Sequence, residues 1–372
     1  MKNTQKKTGA GSLHQAKLNK KDEFYTQLSD IEKEVINYKA SFKGKTVLCN
    51  CDDPRQSNFF HYFSYNFEYL GLKKLITICY KNQNRDLFSE ESSEKSIFLE
   101  YEGDKNGDKV PNIEEIGINY LKGDGAFRSQ ECIEILKEAD IVVTNPPFSL
   151  FRDYVDQLIK HNKKFLILGN LNALTYKEIF KLVQDQKLWI GKTIRSGDRE
   201  FGVPKDYPLK SAGHRVDEKG NKFIRVKGIR WYTNLDYKER KQNIPLFRKY
   251  NPEDYPFYDN YDAINVNVTK DIPCDYKGVM GVPITFIDKF NPKQFEILGL
   301  SQKYGYGLES NKFYDDYREI RPDGSETGSS GKKTNGNPVM KGKPKKKGNC
   351  FYNGSETVHS LYARVFIRNL NL

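Results

Sequence analysis

The chain has 372 residues, with 61 Lys and Arg against 49 Asp and Glu, a net charge of +12 and 37% hydrophobic residues. No run approaches the roughly 18 consecutive apolar residues of a membrane span, and the opening MKNTQKKTGAGSLHQAKLNKK lacks the apolar centre of a secretory signal. Six cysteines without a CxxC pair and five scattered histidines read as reduced thiols of a cytoplasmic protein with no zinc site.

Residues 1–21 form a basic arm with six Lys and no acid. Apolar, β-branched runs follow as candidate strands: Thr46–Asn50 (TVLCN), Leu75–Tyr80 (LITICY), Asn119–Lys122 (NYLK), Ile141–Thr144 (IVVT) and Phe165–Gly169 (FLILG). Between them, Asn58–Tyr69, Ser129–Ala139 and Leu150–His161 have the spacing of amphipathic helices, the last with Ser149 as its expected N-cap. Strands that are apolar throughout and alternate with helices predict an α/β fold with a mostly parallel sheet covered on both faces. Further on, Phe223–Leu235 (FIRVKGIRWYTNL) predicts one long strand. A second module is expected from about residue 241, with a strand at Val282–Phe286, a helix at Pro292–Gly299 and a last strand at Tyr362–Arg368. Within that module, residues 328–349 hold seven Lys and no acid and predict a disordered insertion. Removing the Lys of the arm and the insertion leaves 48 basic against 49 acidic groups. The remaining body is polarised: residues 187–249 carry seventeen bases against seven acids, and residues 86–140 carry fifteen acids against six bases. Such a distribution predicts a polyanionic partner met by one side of the molecule.

The strongest chemical signal is Asn145-Pro146-Pro147-Phe148, at the carboxyl end of the IVVT strand and before a helix. Ligands of open parallel sheets bind at that end of the strands. Consecutive prolines fix the backbone and remove competing N–H groups, so the Asn145 oxygen and a neighbouring carbonyl can converge on one planar amino group. An aromatic ring at 148 can stack on the base that carries the amine. Taken alone, the tetrapeptide also suits a turn that precedes a helix.

Together with Asp22–Gln27 (DEFYTQ), Gly123–Phe127 (GDGAF), Ala139–Phe151 (ADIVVTNPPFSLF), Arg230–Leu235 (RWYTNL) and Gly281–Phe286 (GVPITF), this motif resembles the EcoRI-type DNA adenine methyltransferases. The resemblance covers nearly the whole chain except the Lys-rich insertion. It implies a Rossmann-like methyltransferase fold and S-adenosylmethionine as cofactor, with a C-terminal target-recognition module. Asn145 and the Pro146 carbonyl would take the two amino hydrogens of a flipped adenine, with Phe148 stacked on the ring. Phe24 and Thr26 would close over the methionine part of the cofactor. Asp124, in a Gly-flanked turn, would accept from the adenosine amine, with Phe127 as a wall, although Asp also suits such a turn for its own geometry. Asp52, Asp53 and Pro54 would line the cofactor at the end of the first strand. There the chain departs from the family pattern, since NCDDPR replaces a Gly-rich turn. The second strand ends in CYKN, without the acidic residue that commonly binds a ribose hydroxyl.

Arg195, Arg199, Arg225, Arg230 and Trp231 lie in the basic stretch, where cations interleave with aromatics as a DNA backbone and an unstacked base require. A solvated basic strand face would have the same composition. The sequence thus predicts an N-terminal arm and cofactor-closing segment (1–40), a catalytic domain (41–240) and a target-recognition region (241–372). The expected activity is site-specific N6-methylation of adenine in double-stranded DNA, either as part of a restriction-modification system or acting alone. The protein would act as a monomer, and a cognate endonuclease would act on the same site without stable contact. The alternatives are methylation of RNA or of a protein glutamine, and a catalytically silent DNA-binding homologue.

Overall fold

Residues 24–50, 57–78, 96–108, 110–112, 115–204, 207, 209, 213–301, 306–330, 336–343 and 348–372 are described in a computed structural model. The basic arm 1–21 and the expected cofactor residues Asp52, Asp53 and Pro54 lie outside them. The chain divides into two compact units, one running to Ala173 and including Ile190–Tyr237, the other comprising Leu174–Trp189 and Lys238–Leu372.

The first unit opens with β1 (Tyr25–Thr26) and α1 (Leu28–Val35), which buries Ile31, Glu34 and Val35. Next come β2 (Thr46–Asn50), α2 (Asn58–Tyr65), β3 (Lys74–Ile78), β4 (Ile97–Tyr101) and β5 (Ile116–Tyr120). After α3 (Gln130–Glu138) come β6 (Ile141–Thr144), α4 (Phe151–Lys160) and β7 (Lys164–Asn170). The short β8 (Trp189–Ile190) precedes β9 (Asp198–Val203), β10 (His214–Val216), β11 (Lys222–Lys227) and β12 (Ile229–Thr233). Every residue of β2 and β6 is buried, as continuous apolar runs require when both sheet faces are covered. Ser57 and Ser129 cap α2 and α3, their hydroxyls accepting from Phe59 N–H (3.3 Å) and Cys132 N–H (3.2 Å).

Eight strands form the main sheet in the order β5-β4-β3-β2-β6-β7-β12-β8. β3, β2, β6 and β7 pair in parallel; β4 lies antiparallel to β3 on one side, β5 antiparallel to β4 and so in the direction of the core, and β12 antiparallel to β7 on the other side. The sheet therefore holds a parallel core, and β5, β3, β2, β6 and β7 run the same way while β4 and β12 run against them. From β2 the chain goes first to β3 on one side and later to β6 on the other. This reversal is the topological switch at which open sheets bind ligands, and it sets the end of β2 beside the end of β6.

Some local expectations change. The span 58–69 is two helical pieces, α2 and a single turn Phe67–Leu70 that ends at Gly71 in the left-handed region (φ 64°). Ser149 does not cap α4, because a 3-10 turn, Phe148–Leu150, precedes that helix and places Leu150 at its N-cap. The expected single strand 223–235 breaks at Gly228, whose φ of 71° suits glycine. As a result β11 joins a separate antiparallel sheet, β1-β9-β11-β10, while β12 enters the main sheet. Gly169 on β7 lies under the Phe151 ring: a Cβ there would come within 2.4 Å of Cε2. Gly169→Ala should destabilise the protein by about 1–3 kcal/mol through overpacking, visible as a lower thermal midpoint.

In the second unit, α5 (Lys177–Gln184) precedes β13 (Ile264–Asn265), β14 (Met280–Pro283) and β15 (Phe295–Leu300). Then come β16 (Arg318–Ile320), β17 (Glu326–Ser330), β18 (Val339–Lys341), β19 (Cys350–Tyr352), β20 (Thr357–Ser360) and β21 (Arg364–Asn369). They form the sheets β13-β14-β21-β15 and β17-β16-β19-β20-β18. The helix expected at 292–299 is instead β15: Phe295 and Ile297 are buried and Glu296 between them is exposed, a period of two. The strand expected at 282–286 ends at Pro283 and continues as a 3-10 turn. Disorder was expected across 328–349, yet its described residues include part of β17 and all of β18. Val339 and Met340 are only 1% and 7% exposed, and β18 pairs with β20. Two apolar residues among the lysines suffice to dock that strand.

Candidate functional site

Thr144 ends β6 with its hydroxyl donating to the Asn50 carbonyl at the end of β2. This contact joins the two strand ends at the switch point. Tyr154 of α4 donates its hydroxyl to Asn50 Oδ1, and the Phe127 ring meets the Tyr154 ring edge-on at 5.0 Å. Phe127 is held further by Gln157 Nε2, which donates to its carbonyl at 2.8 Å. The GDGAF turn is thus fastened to the end of β2 through one tyrosine. Tyr154 and Asn50 were not among the expected site residues. A Tyr in the apolar stripe of α4 was the signal, since its buried hydroxyl needs a partner.

Within that turn Asp124 is exposed and its Oδ1 accepts from Ala126 N–H at 2.9 Å, with Gly125 at φ 75°. Glu131 at the start of α3 accepts from Lys122 N–H (2.9 Å) and Gly123 N–H (2.8 Å), and these bonds hold its carboxyl below the usual range. The turn is built from both sides before any ligand is considered.

On the β6 side, Asn145 is 5% exposed. Its Nδ2 donates to the Phe24 carbonyl at 2.6 Å, which fixes the amide so that Oδ1 is the free end. Oδ1 is buried and has no hydrogen-bond partner among the described residues. Buried acceptors are ordinarily satisfied, so this one fits a donor supplied by a ligand. Pro146 is buried beside it. Phe148 packs against Phe24 (5.5 Å) and meets Phe201 edge-on (6.4 Å), while Tyr207 lies 6.3 Å from Phe24. The β1 segment is anchored by pairing Thr26 with Phe201 of β9, and by Asn58 Nδ2 donating to the Thr26 carbonyl at 2.7 Å. Thr26 is 2% exposed and its Oγ1 also lacks a partner among the described residues, which again fits a ligand. Asn145, Pro146, Phe148, Phe24 and Thr26 are therefore brought together, and Phe127 and Asp124 stand at the neighbouring strand end. The ring of Phe24 packs on that of Phe148.

The basic residues separate into two groups. Arg199 is half-buried on β9 and Arg225 exposed on β11, and Arg195 is half-buried in the loop before β9. Arg230 and Trp231 lie inside β12 at 3% and 0% exposure. Arg230 donates to the carbonyls of Ile229 (2.8 Å) and Arg195 (2.6 Å), and Trp231 meets Phe59 edge-on at 6.1 Å. Both are core residues of the main sheet, and neither is exposed to contact DNA. Arg215 makes a paired bond to Glu200 (2.9 and 2.6 Å) that holds that carboxyl below its ordinary range, with Arg225 adding to the effect.

A family model described as adenine-specific methyltransferase EcoRI matches residues 12–370. The Type II methyltransferase M.EcoRI of Escherichia coli is 54% identical over 288 residues, covering 77% of this chain and 88% of the relative. The Type II methyltransferase M.MgeORF184P of Mycoplasma genitalium is 43% identical over 290 residues, covering 77% and 85%. M.MpnI of Mycoplasma pneumoniae is also 43% identical, over 291 residues, covering 77% and 84%. No solved structure matches.

Proposed function

The chain belongs to the EcoRI family of adenine-specific methyltransferases, and we propose that it methylates N6 of an adenine rotated out of duplex DNA, with S-adenosylmethionine as methyl donor. The observation that carries this reading is the Asn145 amide, oriented by the Phe24 carbonyl with a buried, unpartnered Oδ1 at the end of β6. Rotating the base from the stack costs a few kcal/mol, and the Phe148, Phe24 and Phe201 rings offer an apolar enclosure that offsets it. Asn145 Oδ1 and the Pro146 carbonyl accept the two amino hydrogens and turn the nitrogen lone pair out of the ring plane. S-Adenosylmethionine, when bound, supplies an already activated methyl group whose departure leaves a neutral thioether. The chain's own task is alignment, which supplies much of the acceleration for two reactants held face to face. Phe24, Thr26, Asp124 and Phe127 are assigned to the cofactor, as are Asp52, Asp53 and Pro54.

Arg195, Arg199 and Arg225 are assigned to the DNA backbone. Readout of base edges is assigned to the unit containing Lys238–Leu372. The protein acts as a monomer in the cytoplasm and protects DNA against an endonuclease that reads the same site. Among the described residues, no helix is long and apolar enough to cross a membrane. Labelled methyl transfer to duplex DNA, structured RNA and protein, compared side by side, tests the substrate class: only duplex DNA should accept. Arg225→Ala should lower the slope of log affinity against log salt by about 1, the value of one phosphate contact, and leave the modified sequence unchanged. Binding measured across a salt series checks this.

A further inference from the structure

Glu34, near the end of α1, is fully buried at 0% exposure. It accepts from Lys192 N–H and Thr193 N–H, each at 2.7 Å, from the Thr193 hydroxyl, and from Tyr38 OH at 2.7 Å. A buried carboxylate persists only when its oxygens are satisfied in this way. Three of the four donors belong to one loop, the segment that leaves β8 and leads to β9. Gly191 lets the loop pass this close: a Cβ there would lie 2.3 Å from Glu34 Oε1 and 2.6 Å from Trp231 Cβ.

The Lys192–Thr193 peptide is held on both sides. Its N–H, that of Thr193, is given to Glu34, and its carbonyl, that of Lys192, accepts from Arg195 Nε at 2.9 Å. The Arg195 carbonyl in turn accepts from Arg230 Nη2 at 2.6 Å. An unbroken series of hydrogen bonds therefore runs from the buried carboxylate through one peptide to the guanidinium of Arg195, while the buried Arg230 holds the same residue's backbone. An arginine whose Nε and main chain are both fixed loses little freedom when its remaining N–H groups meet a phosphate.

We infer that Glu34 is a positioning residue for DNA capture, clamping the 191–195 loop so that the Arg195 guanidinium is aimed at the DNA backbone. The inference rests on the assignment of Arg195 to a phosphate. It gives function to a buried charge far in sequence from every motif and explains the loop's close approach at Gly191.

A double-mutant cycle tests it. Glu34→Gln keeps the shape but has one acceptor oxygen, and its amide would face a backbone N–H donor. Duplex affinity across a salt series, kcat at saturating DNA and the thermal midpoint are measured for Glu34→Gln, Arg195→Ala and the pair. Arg195→Ala should weaken binding and lower the salt slope by about 1. Glu34→Gln should weaken binding about fivefold to tenfold and leave kcat at saturation within about twofold. The double variant should bind like Arg195→Ala alone, because the two act as one unit. If the effects multiply, or if Glu34→Gln binds as wild type, the clamp is overturned while Arg195 keeps its role. If Arg195→Ala binds as wild type with an unchanged salt slope, the phosphate assignment falls and the inference falls with it. Should Glu34→Gln fail to fold, Thr193→Val removes one donor only and replaces it in the same cycle, with a smaller shift of the same sign expected.

Discussion

Asn145→Ala is expected to lower kcat by at least about a hundredfold, the loss found when one preorganised polar group is removed from an active site, with binding of S-adenosylmethionine and DNA retained. The side chain is buried and small, so truncation removes an acceptor without unfolding β6. Asn145→Asp sharpens the test. It keeps an acceptor where Oδ1 stands but replaces Nδ2, which donates to the Phe24 carbonyl at 2.6 Å, with an oxygen facing another oxygen. Two acceptors at that separation repel, so the carboxylate should turn away and activity should fall nearly as far as in the alanine variant. Single-turnover methylation with pre-bound DNA separates the chemical step from binding. A variant with wild-type single-turnover rate would remove Asn145 from the chemistry.

The second large effect is expected at Phe148. Stacking of a base on an aromatic ring contributes about 1–3 kcal/mol, so Phe148→Ala should reduce kcat/KM by roughly tenfold to a hundredfold. Phe148→Trp should recover much of the loss, since any flat ring offers a stacking face. Phe148→Leu should not, although it fills similar space. Phe24 and Phe201 pack on the same ring, so part of the alanine effect could arise from collapse of those neighbours. The comparison of Trp with Leu separates stacking from packing. Equal activity of the two would contradict a stacking role.

The parallel core was legible because β2, β6 and β7 are apolar along most or all of their length, and TVLCN and IVVT matched the strands residue for residue. The Asn145–Phe148 tetrapeptide was legible for a related reason: its prolines and its place after a buried strand leave little choice of conformation. What failed was context. Arg230 and Trp231 look like a DNA-binding pair in a basic run, but Gly228 turns the chain out of the β1-β9-β11-β10 sheet and into the core sheet. Composition along a window cannot show that the backbone changes sheets in the middle of it. The β15 segment was misread because Pro292 and Gly299 bracket it like a helix, whereas its period-two burial emerges only against its partner β21. Glu34 carried no signal, and Tyr154 only that of a tyrosine in an apolar helix stripe, because Lys192, Thr193 and Asn50, which they meet, lie more than 100 positions away.

The most direct test is modification-aware sequencing of DNA from cells that express this protein, beside cells expressing the Asn145→Ala variant. The account predicts N6-methyladenine at every copy of one short sequence with the wild-type chain and none with the variant. Methylation on another base, or an adenine mark that survives the loss of Asn145, would contradict it.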